Sequence, residues 1–416
     1  MYKWLDQSSK LERTLLNGQL HRAALPPALR GFASTAPAGQ AFDVEWNAGR
    51  ITRIAPVAGA PECTLSSAAV DLHVHIDKTH TIDEVGETQG DLATAIARMR
   101  ARRERWTAEQ VHARMTRALD DAWRCGTRAL RTHLDWPDPK EPLALQVLLA
   151  LREHWRDRLE IQFASLTPLD AFDEGGSAAE RARRLRGTGG VLGTYVYGNA
   201  DVEAKLRRAF ALAAEHGLAL DLHVDEGLSP EATAPACAAE LTIEHGLQGR
   251  VTCGHGCSLS MQPRAQALRT LELCAQAGIH LVALPTTNLY LQGDWNGTPV
   301  ERGITRLREA REAGVNVCIA TDNVADAFYP YGSYDLLETF GLAVQVAHLP
   351  DAASWLPAIT SSPARAMGLA WDGWLREGCP ADFIVLAARS GFELLTPAGR
   401  RRQVVRAGTT IQDGMA

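Results

Sequence analysis

Four short polar tracts, each closing an apolar run, hold the residues whose types and spacing could do chemistry. They are DLHVHIDKTHT with His73 and His75, LHVDE with His223 and Glu226, CGHG with His255, and ATDN with Asp322. Together they supply three imidazoles and a carboxylate for one divalent metal. His nitrogen and carboxylate oxygen suit zinc or iron(II), with a position left open for water. A cation of that kind brings the pKa of bound water toward about 7, so hydroxide is available at neutral pH. Glu226 and His255 remain as two groups for moving protons. The set points to hydrolysis by an activated water. A single His at the end of a strand is ordinarily a hydrogen-bonded core residue. Four strand ends in register, each with a ligand-type side chain, are hard to obtain that way.

The elements that must position these residues form a rhythm. Eight apolar or β-branched runs recur: AAVDLHVH (68–75), TRALRTHLD (127–135), LEIQFASL (159–166), VLGTYVYG (191–198), LALDLHVD (218–225), RVTCGH (250–255), IHLVALPT (279–286) and VNVCIATD (315–322). Helical patterns lie between most of them. TAEQVHARMTRALDDAWRCG (107–126), EAKLRRAFALAAEHG (203–217), RAQALRTLELCAQAG (264–278) and ITRLREAREAG (304–314) each end on a glycine, a helix C-cap signal. PLALQVLLALREHWRD (142–157) has the same apolar spacing. Eight nearly continuous apolar strands, each followed by helix, read as a parallel (β/α)8 TIM barrel over residues 67–378. An open doubly wound sheet is the competitor, and no glycine-rich dinucleotide fingerprint supports it. In a barrel the C-terminal strand ends line the active site. His73 and His75 alternate by two and share a face of strand 1. His223 ends strand 5, His255 strand 6 and Asp322 strand 8. His133 ends strand 2 in RTHLD and lines the mouth in this reading, His80 has a weaker claim, and His154 and His245 sit in helical contexts.

The two ends of the chain differ from its middle. Residues 18–66 are rich in Ala, Pro and Gly, with FDVEWNAGRITRIAPV as the clearest hairpin; residues 379–416 return to short strands in ADFIVLA, FELL and RQVVRAGTTI. A small β-sandwich domain built from residues 1–66 and 379–416 accounts for both and keeps the ends close.

Composition narrows the function classes. Hydrophobic content of 46% and charged content of 22% are those of an ordinary globular protein. A net charge of −6 and a pI near 6.1 argue against nucleic acid as a partner. The arginine-rich stretch ARMRARRER (97–105) reads as a solvated helix face. The N-terminal MYKWLDQSSKLERTLL lacks a signal-peptide core, and no run of about 18 apolar residues offers a membrane span. Eight scattered cysteines, with Cys237, Cys274 and Cys318 in apolar contexts, suit reduced buried thiols and a cytoplasmic protein. Cys253 and Cys257 form one C-x3-C without a second pair, so a zinc knuckle is not expected. A small molecule is the expected partner, with a homo-oligomer left open.

Taken in order, these tracts resemble the cytosine deaminase branch of the amidohydrolase superfamily. The longest similar stretch is NLYLQGDWNGTPVERGITRLREAREAGVNVCIATDNV (288–324), with DLHVHIDKTHT, RTHLD, LHVDE and GRVTCGHG before it and GCPADFIVL (378–386) after it. The resemblance covers about residues 68 to 395. It implies one catalytic ion, zinc or iron(II), on His73, His75, His223 and Asp322. It further implies that Glu226 protonates a ring nitrogen, that His255 orients or deprotonates the attacking water, and that Asp322 passes a proton to leaving ammonia. Two-metal members of the superfamily carry a carboxylated lysine at the end of strand 4. The stretch VLGTYVYG holds no lysine, so a mononuclear site is implied. The implied reaction is hydrolytic deamination of a small amino-substituted N-heterocycle.

The positions that choose the ring depart from cytosine deaminase. Leu166 in FASLTPLDAF stands where that family reads the pyrimidine carbonyl with a glutamine, and a site that loses such a bond loses discrimination of a few kcal/mol. Asn323 replaces the second acid of an Asp-Asp pair, and Phe328 stands where a Trp covers the ring. Asn323, Lys78 and Thr79 are shared with the N-isopropylammelide amidohydrolases, which act on a substituted triazine. Tyr195, Tyr197, Asn288 and Gln292 complete the candidate pocket, though a tyrosine in a barrel often only packs. Two alternatives stand beside deamination. One is removal of an alkylamine from a triazine-type ring, or opening of a cyclic amide, with the same water. The other is a catalytically silent ligand-binding barrel, against which the intact ligand set argues.

Overall fold

The computed structural model describes residues 18–37, 39–88 and 92–411. The expectation of no leader in the first 17 residues and the outermost parts of the expected small domain, 1–17 and 412–416, lie outside the described residues.

The chain enters through four strands, β1 (Gln19–Ala24), β2 (Ala41–Asn47), β3 (Arg50–Val57) and β4 (Cys63–Ser67). It then lays down eight parallel strands: β5 (Ala69–Val74), β6 (Thr127–Asp135), β7 (Glu160–Pro168), β8 (Leu192–Tyr195), β9 (Leu220–Val224), β10 (Val251–His255), β11 (His280–Ala283) and β12 (Asn316–Ile319). Each pairs in parallel with its sequence neighbours, giving the order β12-β11-β10-β9-β8-β7-β6-β5. Every residue of β5, β9, β10 and β11 is buried, as expected of strands covered on both faces. The seam between β5 and β12 closes at one bridge, Val74 with Asp322, where the Asp322 amide donates to the His73 carbonyl at 2.9 Å. The barrel therefore closes on residues of the candidate site.

The helices follow local chemistry. Ala108–Arg124 starts in a capping box in which Thr107 and Gln110 exchange side-chain to backbone bonds. Val202–His216 stops at Gly217, whose φ of 67° turns the chain out of the helix while its amide bonds back to Ala213 and Ala214. The stretch expected to be helical from 304 is regular only over Leu307–Glu312. FELL is not a strand. It forms a 3-10 turn at Glu393–Leu395, held by a bond from the Arg389 amide to the Glu393 carboxylate (2.7 Å) and from the Thr396 hydroxyl to the Glu393 carbonyl (2.8 Å). Such local bonds compete with sheet pairing.

The chain ends in β13 (Phe383–Leu386), β14 (Arg402–Arg406) and β15 (Thr409–Ile411), which join the first four strands in one mixed sheet, β15-β14-β13-β4-β1-β2-β3. This sheet has its own core, with Leu20, Phe42, Val44, Trp46, Leu65, Phe383 and Val385 buried together. At its contact with the barrel, Asp382 pairs with Arg128 and lies 3.5 Å from Arg406.

Candidate active site

The barrel's C-terminal mouth gathers the four tracts. The His75 Nε2 lies 3.1 Å from Asp322 Oδ1 and 3.5 Å from His223 Nε2, and the His73 Nε2 lies 3.5 Å from Asp322 Oδ1. Donors about 2.0–2.1 Å from a tetrahedral ion stand about 3.3 Å apart, so these spacings suit one ion. Both ring nitrogens of His73, the His223 Nδ1, the His255 Nε2 and both Asp322 oxygens are buried without a hydrogen-bond partner. Orphaned polar atoms cost about 1–3 kcal/mol each, and a shared cation removes that cost for those that face it, the His73 Nε2 and an Asp322 oxygen. Burial, followed by the other imidazoles or Lys78, drives the pKa values of His73, His75 and His223 well down, so the rings are neutral and their lone pairs free. The donor set thus fits a divalent ion.

Backbone geometry aims these groups. His255 and Asp322 adopt left-handed φ values of 67° and 64°, which cost a non-glycine residue about 1–2 kcal/mol. Gly254 lets the His73 ring pack against β10: a Cβ there would sit 3.0 Å from His73 Cε1. Beneath the cluster, Asp221 ties Arg131 (2.8 Å) to His133 Nε2 (2.9 Å). Burial works to raise the Asp221 carboxyl, but His133 and Arg131 outweigh it and hold it below the usual range. His133 stacks on His73 with ring centroids 4.0 Å apart, and joins His73, His75 and His223 in a group able to hold an ion. The sequence placed His133 at the mouth but gave it no role.

Glu226 and His255 face the cluster. The Glu226 carboxylate lies 3.7 Å from His255 Nδ1, and burial pushes its carboxyl up to about 7. Burial takes His255 down to about 4 and Asp322 up to about 7. The Asn288 side-chain nitrogen stands 3.0 Å from His255 Nδ1. With that amide donating, the His255 proton sits on Nε2, the nitrogen left without a partner.

A cavity of about 190 Å³ opens above these groups. Leu166, Tyr195, Tyr197, Asn323 and Phe328 line it together with His75, His223, Glu226, His255 and Asp322. Asn288 and Gln292 are not among its lining residues: Asn288 supports His255, and Gln292 is buried beside Gly303. The Asn323 amide is turned away to Asp326 at 2.7 Å.

Several lining residues were given no role by the sequence, Lys78 being noted there only as a shared position. Lys78 is fully buried, 3.2 Å from His75 Nδ1, 2.5 Å from Asp135 Oδ1 and 5.3 Å from the Phe328 ring centroid. Burial opposes its charge, but Asp135 and Asp77 outweigh this and raise its pKa. Arg103 holds the other Asp135 oxygen at 2.9 Å. Lys78 and Asp135 each lie in a quoted tract, DLHVHIDK and RTHLD, and that adjacency to ligand-type residues was the available signal.

The chain's likeness to known proteins agrees with this geometry. A model of the amidohydrolase family matches residues 152–414. A pterin deaminase of Rhizobium rhizogenes (strain K84 / ATCC BAA-868) is 38% identical over 346 residues, covering 82% of this chain and 79% of the relative. An N-isopropylammelide isopropyl amidohydrolase of Pseudomonas sp. (strain ADP) is 25% identical over 296 residues, 69% of each chain. Among solved structures, a 5-methylcytosine deaminase from Klebsiella pneumoniae liganded with phosphonocytosine superposes with a TM-score of 0.84 at 26% identity, covering 96% of this chain and 98% of that one. The chain belongs to the amidohydrolase family and is a hydrolase of carbon–nitrogen bonds in cyclic amidines.

Proposed function

We propose that this chain deaminates a pteridine ring with one divalent ion, zinc or iron(II), held by His73, His75, His223 and Asp322. The observation that carries this reading is the meeting of His75, His223 and Asp322, with His73 packed behind them, and Glu226 at one cavity. The ring class is supported by the 38% identity to a pterin deaminase and by Leu166, an apolar side chain where a pyrimidine reader would need an amide.

When bound, the ion makes water nucleophilic at neutral pH and polarises it for attack on the amino-bearing carbon. The chain's own groups do the rest. Glu226, with a carboxyl near 7, exchanges protons readily at neutral pH and delivers one to the ring nitrogen beside that carbon. His255 Nε2–H donates to the oxygen that adds to the ring. Asp322 takes a proton from the attacking water and hands it to the departing amine, so one ammonia leaves and one ring carbonyl forms. Lys78, fixed by Asp135, offers its ammonium to a ring carbonyl oxygen, and Phe328 covers the ring face. Among the remaining walls, Met99, Leu166 and Pro168 give an apolar surface that disfavours water.

Removal of an alkylamine from a triazine is the second reading, favoured by Lys78 and by the 25% identity to an N-isopropylammelide hydrolase. An ammonia-release screen of the zinc and iron(II) forms separates the two. It should cover aminopyrimidines, pterins, aminopurines and N-alkylated triazines. Ammonia from pterin, with the 2-oxo product, is expected; alkylamine release without ammonia from any pteridine would replace this reading with the second.

A further inference from the structure

The cavity has two chemically different ends. At the inner end stand the donor cluster, Glu226 and His255. At the outer end the helix Leu92–Arg103 lays Leu92, Ile96 and Met99 along the wall and brings Arg100 and Arg103 to the rim. The arginines of this helix are not simply a solvated face. Arg98 donates to the Glu87 carbonyl at 2.8 Å, Arg102 to the Glu84 carboxylate at 2.7 Å, and Arg103 to Asp135. Arg100 lines the cavity and makes no ion pair or hydrogen bond with any described residue. Its field reaches across to the Tyr195 hydroxyl, where it opposes the effect of burial. Among the described residues lining this end Asp135 is the single acid, and Lys78 and Arg103 already hold both of its oxygens; Asp170, whose field also reaches Tyr195, is held by Lys205 and Asn199. The other lining acids, Glu226 and Asp322, lie at the metal end. The outer end therefore carries an excess of positive charge, with one guanidinium left to bind an anion.

We propose that this outer end is a carboxylate subsite: the substrate is a pteridine bearing a carboxylate on the edge remote from the amino carbon, and Arg100 binds it. A guanidinium presents paired donors that match the two oxygens of a carboxylate. The anion then orients the ring, because its far edge is fixed at the rim while the amino carbon meets the donor cluster. This rests on the pteridine reading above.

The test uses the full chain loaded with zinc and compares kcat/KM for pterin and 6-carboxypterin in the wild type, Arg100→Gln and Arg100→Lys. The wild type should prefer the carboxylated ring. Arg100→Gln should lower the ratio of the two kcat/KM values about tenfold, mostly through KM, as expected for one charge-assisted contact. Arg100→Lys should recover part of it, and added salt should shrink the wild-type preference. A ratio that Arg100→Gln leaves within twofold of wild type, while both rings are turned over, would overturn the carboxylate subsite alone. Turnover of neither pteridine, with ammonia or alkylamine released from another ring, would overturn the pteridine reading and this subsite with it.

Discussion

Glu226 sits where burial lifts its carboxyl to about 7, while the same burial keeps His73, His75 and His223 uncharged. Those opposite effects yield two predictions. Glu226→Gln removes the proton carrier but no metal donor, so kcat should fall about 10²–10⁴-fold with metal content unchanged. Elemental analysis beside steady-state kinetics checks it; a rate near wild type would remove Glu226 from the reaction. The second concerns metal uptake. The imidazoles are already neutral at pH 6–8, so the cation displaces no protons from them. Asp322, raised to about 7, is protonated below that pH and must lose one proton to bind. In a Glu226→Gln background, which removes a charge that helps raise Asp322, zinc affinity should fall about tenfold per pH unit below the Asp322 pKa, now lower than in the wild type, and level off above it. Chelator competition between pH 5 and 8 reads this, and a slope of two or more protons would mean that the rings are charged. The types of these residues were legible in the sequence because His, Asp and Glu are scarce at the ends of apolar runs. The pairing of Lys78 and Arg103 on Asp135 was not, because three separate segments bring those charges together.

The strands were legible as elements, since burial on both faces leaves little room for polar residues and glycine-ended helices mark the spaces between. The rim was harder to read. The stretch between β5 and β6 has no apolar strand run of its own, yet its helix Leu92–Arg103 forms the outer wall of the cavity. FELL misled because its apolar content suits a strand while Ser390, Glu393 and Thr396 bond locally. The close packing of β10 on β5 carries a prediction at this scale. Gly254→Ala would bring a Cβ to 3.0 Å from the His73 ring, tight enough to displace it. Support residues of this kind commonly alter metal affinity about 10–100-fold. Zinc affinity should therefore drop by that order while the circular dichroism spectrum stays that of the wild type. Unchanged affinity would show that His73 has room to move.

Strands from before and after the barrel segment meet in one sheet, so barrel and sheet are bound by topology as well as contact. We propose domain divisions near residues 66/67 and 378/379, where the chain passes between the two cores. Asp382 stands at that passage, 5% exposed, between Arg128 and Arg406, which burial lowers to about 10. Asp382→Ala leaves two guanidinium groups facing each other without a carboxylate. Removing one partner of such a group costs about 3–5 kcal/mol, to be seen as a lower denaturant midpoint with an unchanged slope. The alternating barrel and the chain-end strands other than FELL were legible from apolar rhythm, whereas the closure at Val74 and Asp322 was not, since it joins residues far apart in the chain. The reading of the whole molecule turns on one ion in one site. Titrating zinc or iron(II) into the metal-free chain, with ammonia release from pterin as the readout, tests it most directly. Activity should rise from near zero and saturate at one equivalent, and it should not return in His73→Ala. Full activity without metal, or saturation only at two equivalents, would contradict it.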